Sequence, residues 1–401
     1  MRIAIFSDPH MGFGHGTERY ADAFEAFGEA LGKSRGCDLV LLAGDIFDSK
    51  TPTTDSLSGA MELLLDFRMS ASGARLAEGI NRRISRLSAV NSMGLPVVAL
   101  HGNHERRARG LVNPVQALEK AGLLIHVHCN GLVFEKDGER VAVQGMSAVP
   151  DQYAEDVLKQ WNPQPIRACY NILMLHQVFG EFFQSPHSVP ASVLPEGFDL
   201  YVDGDIHRPR KAAYRERPFI VAGSLIPTQQ NRDEVGPKGV WILNTSSGSV
   251  NFHALEQQRK FYFLEYESPD RQAMEKDLER ILSGKHAKKP AIRIRLLKGF
   301  EWQGELEAKY GDRALVSFRK AAQDKPPEGV SLAEHLASVE ETASKLLREN
   351  LAKANLRPQD FEHVFELLTE KENDEALRLI TEAASKQKRA QEPEGTIGKD
   401  K

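Results

Sequence analysis

Arg2-Ile3-Ala4-Ile5-Phe6-Ser7-Asp8-Pro9-His10 is a short apolar run that stops abruptly at a carboxylate and an imidazole. An unbroken run of this kind predicts a strand buried on both faces, as in a parallel sheet. Asp8 and His10 alternate off the strand end, so both side chains can enter one cavity beyond it. Pro9 fixes the backbone between them. The pattern recurs. Asp38–Ala43 (DLVLLA) runs into Gly44-Asp45, and Val97–Leu100 precedes Gly102-Asn103-His104-Glu105. Asn171–Leu175 (NILML) runs into His176, and Leu200–Val202 precedes Gly204-Asp205-Ile206-His207. Polar groups gathered at the carboxyl ends of successive strands belong to an open α/β architecture. Phe219–Ala222 and Gly239–Leu243 read as strands of a second sheet, so the expected fold is a four-layer α/β/β/α sandwich.

The chemistry follows from the donor types. Carboxylate oxygens, a carboxamide and imidazoles are what two divalent ions need to share a hydroxide and attack a phosphate. Each motif alone is weak, and a lone His after an apolar run is ordinarily a satisfied structural residue. The set in this order, always at strand ends, carries the reading. Gly44 permits a tight turn, and one carboxylate can bridge two cations, which makes Asp45 the natural shared ligand. Asn103 offers a neutral carbonyl oxygen, with His104 beside it. Asp205 and His207 alternate from one loop. By contrast, His126-Val127-His128-Cys129 lacks any accompanying CxxC or HxxxH and reads as strand alternation. His15 and His101 read as supporting or structural residues.

The chain has 401 residues, enough for two or three domains, and a net charge of −4 that advertises no nucleic-acid coat. Its three cysteines, Cys37, Cys129 and Cys169, form no CxxC pair and suit a reducing cytosol. The first strand starts at once, leaving no room for a signal peptide, and no apolar run is long enough to span a bilayer. A cytoplasmic protein with no membrane association is expected.

Four segments are expected: 1–255 with the strand-end motifs, 256–325 as a small α+β unit, 326–385 as helices and 386–401 as a charged tail. Residues 55–68 and 74–92 read as helices, the second with Leu76, Ile80, Ile84 and Leu87 at helical spacing. Arg82, Arg83 and Arg86 then lie on other faces, a solvated basic surface or a phosphate contact. In the small unit, Phe261–Tyr266, a helix over about 269–283 and Ala291–Leu297 form a β-α-β pattern. It puts Arg293 and Arg295 on one strand face, either half-exposed or turned to DNA. Between 331 and 385 two amphipathic helices present apolar stripes that either dock a partner or pack on their own body.

The motifs Asp-Pro-His-Met-Gly, Leu-Ala-Gly-Asp-Ile-Phe, His-Gly-Asn-His-Glu, Leu-His-Gln and Gly-Asp-Ile-His resemble those of calcineurin-like metallophosphoesterases. More narrowly they resemble the SbcD/Mre-eleven DNA repair nucleases, whose branch Leu194–Asp199 and Ala222-Gly223-Ser224 also match. The resemblance covers residues 1–255 well, 256–325 by layout only and the C-terminal helices by position. It implies a metal-dependent exo- or endonuclease that processes DNA ends in double-strand break repair. It implies two divalent ions, Mn2+ or else Mg2+, one held by Asp8, His10, Asp45 and His207, the other by Asp45, Asn103, His176 and Asp205. His104 would be the catalytic histidine. The implied assembly is a homodimer within a heterotetramer, associated with the nucleoid, whose residues 331–385 bind an SMC-like ABC ATPase of the Rad-fifty/SbcC type. Two positions depart from the family pattern: Asp205 and Asp48 stand where histidine is usual. Asp205 still offers a hard oxygen but weakens the second ion as a Lewis acid, and Asp48 lies near the substrate path. Rival readings are a small-molecule phosphodiesterase or phosphatase, and a weakly catalytic subunit that tethers DNA.

Overall fold

In the computed structural model, which describes residues 1–87, 90, 93–108, 110–181, 188–296 and 302–320, β1 (Arg2–Phe6) divides its side chains between two cores. Ile3 and Ile5 face one, Ala4 and Phe6 the other. The chain continues through α1 (Tyr20–Lys33), β2 (Leu39–Leu42), α2 (Thr54–Arg68), β3 (Arg75–Ile80), β4 (Val97–Ala99) and α3 (Pro114–Lys120). Then come β5 (Ile125–His126), β6 (Asn130–Lys136), β7 (Glu139–Met146), α4 (Asp151–Trp161), β8 (Tyr170–Leu175) and β9 (Leu200–Asp203). The main body closes with β10 (Arg210–Tyr214), β11 (Arg217–Val221), β12 (Gly239–Asn244) and β13 (Ser249–Ala254). Beyond it lie β14 (Phe261–Tyr266), α5 (Arg271–Leu282), β15 (Ala291–Leu296), α6 (Gln303–Tyr310) and β16 (Leu315–Lys320).

Among the described residues the first sheet has the order β13-β12-β1-β2-β4-β5 and the second β10-β11-β9-β8-β7-β6-β3. Strands β1, β2, β4 and β5 are parallel, as are β7, β8, β9 and β11. Period-two alternation explains the layers. Leu39 and Leu41 share the inter-sheet core with Ile3, Ile5, Ile172 and Met174. Val40 and Leu42 pack outward with Phe27 of α1, Leu64 of α2 and Leu118 of α3. Leu173 and Leu175 face Ala154 and Leu158 of α4. Each such fully buried aliphatic side chain contributes about 1.5–3 kcal/mol relative to exposure. The result is the expected α/β/β/α sandwich.

The expectations fail in three places. Residues 74–92 are not one helix: Arg75–Ile80 is an edge strand paired antiparallel with β6, followed by a single 3₁₀ turn, Ile84–Arg86. Arg82 is no free phosphate ligand, because it donates to the His126 carbonyl and to Glu119. Gly239–Leu243 belongs to the first sheet, antiparallel to β1, and not to the second.

Strands β14, β15 and β16 form a third, all-parallel sheet, covered by α5 and α6 over their own apolar cluster. Arg259, buried at its entrance, makes a forked ion pair with Asp22 of α1 at 2.8 and 3.1 Å. Neither Arg293 nor Arg295 is a free cation: the first bonds Gln230 and the second pairs with Glu265. No described helix is long and apolar enough to cross a membrane. The helices expected over 331–385 and the tail 386–401 lie outside the described residues.

Candidate metal centre

Asp8 and His10 follow β1, Asp45 follows β2, Asn103 and His104 follow β4, His176 follows β8, and Asp205 and His207 follow β9. Backbone bonds weave these ends together. Asp8 N donates to Gly44 O (3.0 Å), His10 N to Asp45 O (3.1 Å) and Gly204 N to Leu175 O (3.0 Å). Asp8, His10, Asp45 and Asp205 all adopt left-handed backbone, with φ of +53°, +51°, +46° and +66°. Such conformations cost on the order of 1–3 kcal/mol each and cluster at functional sites. Two glycines are required by close approach. A methyl at Gly44 would fall on the His176 ring, and one at Gly102 on the Asp45 carboxylate.

Among the described residues, three groups of side chains each offer ligand atoms within 4.8 Å of one another: Asp8, His10 and His207; Asp8, Asp45 and His176; and His10, Asp45 and His104. Asp8 is therefore as well placed to be shared as Asp45. Asp205 adjoins them, its Oδ1 being 3.8 Å from His176 Nε2. Asn103, at the exposed rim, points Nδ2 at Asp205 Oδ1 (3.3 Å), and half a turn of its carboxamide exchanges that nitrogen for the ligating oxygen. His104 is half-exposed, its Nδ1 3.1 Å from the Asp48 carbonyl and its backbone N–H donating to Asp45 Oδ1 (3.0 Å).

The imidazoles share an orientation. His10 Nδ1 faces Asp48 Oδ1 (3.1 Å), His176 Nδ1 the Ala43 carbonyl (2.6 Å) and His207 Nδ1 Glu234 Oε1 (2.7 Å). These oxygens can only accept, so each Nδ1 donates and each Nε2 is the atom turned into the cavity. That second-partner arrangement is the one metal-binding histidines adopt. His10 Nε2 and His207 Nε2 then lie 3.2 Å apart, close enough to share one proton, whose place a cation would take on binding. Both Asp8 oxygens and His176 Nε2 are buried with no hydrogen-bond partner among the described residues. Buried groups left unpaired are costly, and a pair of divalent ions satisfies all three atoms.

The charges point the same way. Burial opposes a charge on His10, but Asp48, Asp45 and Asp8 outweigh it and raise the ring to about 9. Burial is likewise overcome at His176 by Asp45, Asp8 and Asp205, which raise it well above the imidazole range. Asp45 is held below the usual carboxylate range because His176, His10 and His104 outweigh its burial. Burial pushes Asp205 up despite His176, and Asp8 and Asp45 add to the push. The cavity is short of positive charge.

Several participants were not assigned from the sequence. Glu234, from a 3₁₀ turn (Arg232–Glu234), orients His207, and Lys238 Nζ donates to the His207 carbonyl (2.7 Å). Glu105 accepts from the backbone N–H of Phe47 and of Gly102, each at 2.9 Å. Asp203, fully buried at the end of β9, takes the Gln177 N–H (3.2 Å). No sequence spacing signals these roles, although Glu105 stands inside a quoted motif. Asp48 supports His10 from the cavity's edge, beside His104. The His101–His126 pair is internal, with Nδ1 to Nε2 at 2.9 Å and Ser147 at 3.2 Å from His126.

A family model, calcineurin-like phosphoesterase, matches residues 1–209. DNA double-strand break repair protein Mre11 of Methanopyrus kandleri is 27% identical over 273 residues, 62% of this chain and 55% of that protein. Double-strand break repair protein MRE11 of Encephalitozoon cuniculi is 27% identical, covering 61% and 45%. The human MRE11 is 22% identical, covering 65% and 42%. The chain thus spans about half the length of the curated relatives it matches. Since the matched region is more than half of the chain and contains all but two residues of a centre built from five strand ends, His207 at its far edge included, the chain belongs to the calcineurin-like phosphoesterase family.

Proposed function

We propose that this chain is a metal-dependent nuclease that hydrolyses phosphodiester bonds at DNA ends in double-strand break repair. The carrying observation is the convergence of three inward Nε2 atoms and an unpartnered, buried Asp8 carboxylate at one cavity. Asp8, His10, Asp45 and His207 would hold one divalent ion, and Asp45, Asn103, His176 and Asp205 the other. The donor set of hard oxygens and imidazoles suits Mn2+, with Mg2+ the alternative. When bound, such ions lower the pKa of a shared water and brace the attacking and leaving oxygens of a phosphate. The protein's own part is to fix the ligands and keep the imidazoles turned inward through Asp48, Ala43 and Glu234. His104, open to solvent beside that cavity, would donate a proton to the leaving oxygen or stabilise its charge.

Asp45→Ala is expected to abolish manganese uptake and cleavage together. His104→Ala is expected to lower turnover by about 10²–10⁴-fold with manganese content unchanged. Elemental analysis and a DNA-end cleavage assay read the two outcomes. Full activity in His104→Ala, or a wild type that never takes up manganese, would overturn the assignment. Comparing DNA ends with bis(para-nitrophenyl) phosphate and mononucleotides separates a nuclease from a small-molecule phosphodiesterase. Metal uptake without any turnover would favour a tethering subunit. We extend the proposal to a homodimer bound to an SMC-like ABC ATPase through residues 331–385, the assembly that the motif resemblance implies. Undiminished co-purification after deletion of 331–385 would remove that docking site.

A further inference from the structure

Residues 227–234 touch the candidate metal centre on one side and the three-stranded sheet on the other. The inner side is organised by Glu234. Its carboxylate accepts His207 Nδ1 at 2.7 Å, Thr228 N at 3.0 Å and Gln230 N at 2.6 Å. The loop is therefore wrapped around the group that fixes the His207 ring. Gln230 sits at φ +53°, a conformation its surroundings must enforce.

The outer side supplies the enforcement. Gln230 Oε1 accepts from Arg293 Nη2 at 2.6 Å. Arg293 lies on the central strand β15, opposite Phe263 and Ser317. Alternation along β15 turns Ile292, Ile294 and Leu296 toward the cluster under α5 and α6, which leaves Arg293 and Arg295 on the opposite face. A second tie runs parallel: Arg232 pairs with Glu265 of β14 and lies 5.9 Å from the Phe263 ring centre. His176, by contrast, is oriented by the Ala43 carbonyl, which belongs to the main body and owes nothing to this loop.

We propose that Arg293 is a positioning residue for His207. Acting through Gln230 and Glu234, it sets the affinity of the ion that Asp8, His10, Asp45 and His207 would hold, and leaves nearly unchanged the ion that Asn103, His176 and Asp205 would hold with the shared Asp45. This inference rests on the two-ion reading above. Its physical basis is that partners behind a metal-binding histidine tune affinity by 10–100-fold, and Arg293 acts one link further back. The guanidinium suits the task because its planar fork fixes direction as well as charge.

The test is calorimetric titration of the metal-free, full-length chain with MnCl2. Wild type should take up two ions. Arg293→Ala should weaken one of them by roughly 3–10-fold and leave the other in place. Gln230→Ala should do the same, and the double variant should equal either single one, because both remove one bond. Arg293→Lys, which keeps the charge and loses the fork, should fall between. Equal weakening of both ions, or two unchanged affinities beside a lowered melting temperature, would mean a merely structural role and overturn the proposal. If Arg293→Ala does not fold, Gln230→Ala reads the same bond from the loop side. A wild type that binds no manganese would instead sink the two-ion reading itself, a result distinct from any of these.

Discussion

Glu105 is fully buried, and its two carboxylate oxygens take the backbone N–H groups of Phe47 and Gly102. One side chain thereby pins the loop after Asp45 to the loop that carries Asn103 and His104. Burial and the neighbouring Asp45 push its carboxyl up to about 8, against the pull of the two N–H donors. Glu105→Ala would strand both donors, at about 1–3 kcal/mol each, and leave a void. We expect a loss of roughly 3–5 kcal/mol in urea unfolding, partly restored by Glu105→Gln, which keeps one acceptor. An unchanged unfolding midpoint would show that the loops are pinned elsewhere. The residue scale also shows what a sequence can tell about this centre. Carboxylates and imidazoles at strand ends advertise themselves, because donor type and position are both written in the motif. Glu105 and Glu234 do not, since their partners are a backbone amide 58 positions away and a ring 27 positions away.

At the scale of elements, long apolar runs such as Leu39–Leu42 and Tyr170–Leu175 could hardly be anything but central strands, and they are. Arg75–Ile80 deceived because Leu76, Ile80 and Ile84 fit both a helical stripe and one side of an irregular edge strand. The contrary signals were Gly79 and Asn81, poor helix formers, the latter at φ +52°. Asp137-Gly138, both at positive φ, is the hairpin turn that supplies the strand β6 on which β3 pairs. Sheet membership of β12 was hidden for another reason: its partner β1 is over 230 residues away, and composition does not record partners. Strand β5 carries a further consequence. His126 is held down to about 3, chiefly by burial, with His128 and Arg82 adding repulsion. Its imidazole is neutral when folded, so the unfolded chain takes up a proton first as pH falls below 6.5. Stability is complete above that point and drains away between 6.5 and 3. From pH 6.5 to 5 the loss should approach about 2 kcal/mol. His126→Gln, measured by urea unfolding with chelator present, should lack that increment; an identical pH slope in variant and wild type would refute the attribution.

On the scale of the whole molecule, the sandwich exists in a form that gathers five strand ends from two sheets. The parallel strands β1, β2 and β4 of one sheet and β8 and β9 of the other present their carboxyl ends to a common cavity. The gathering is costly: left-handed Asp8, His10, Asp45 and Asp205 and buried Asp8 oxygens without a hydrogen-bond partner among the described residues all work against folding. Cations that bind only the folded arrangement offset this by mass action, by about 2.7 kcal/mol per site at a hundredfold excess over Kd. For a body of this size, 1 kcal/mol corresponds to roughly 2 °C in melting temperature. Stripping metal with EDTA should therefore lower the melting temperature by about 5–10 °C, and saturating manganese should restore it. Asp8→Asn tests whether the effect belongs to this cavity. It preserves shape but removes the charge of a residue present in two of the three ligand groups. Its melting temperature should respond less than that of wild type to either reagent, because one of the two ions has lost a charged ligand. Scanning fluorimetry on the four samples decides it. A wild type indifferent to both reagents would mean that the strain at the strand ends is relieved by something other than ions.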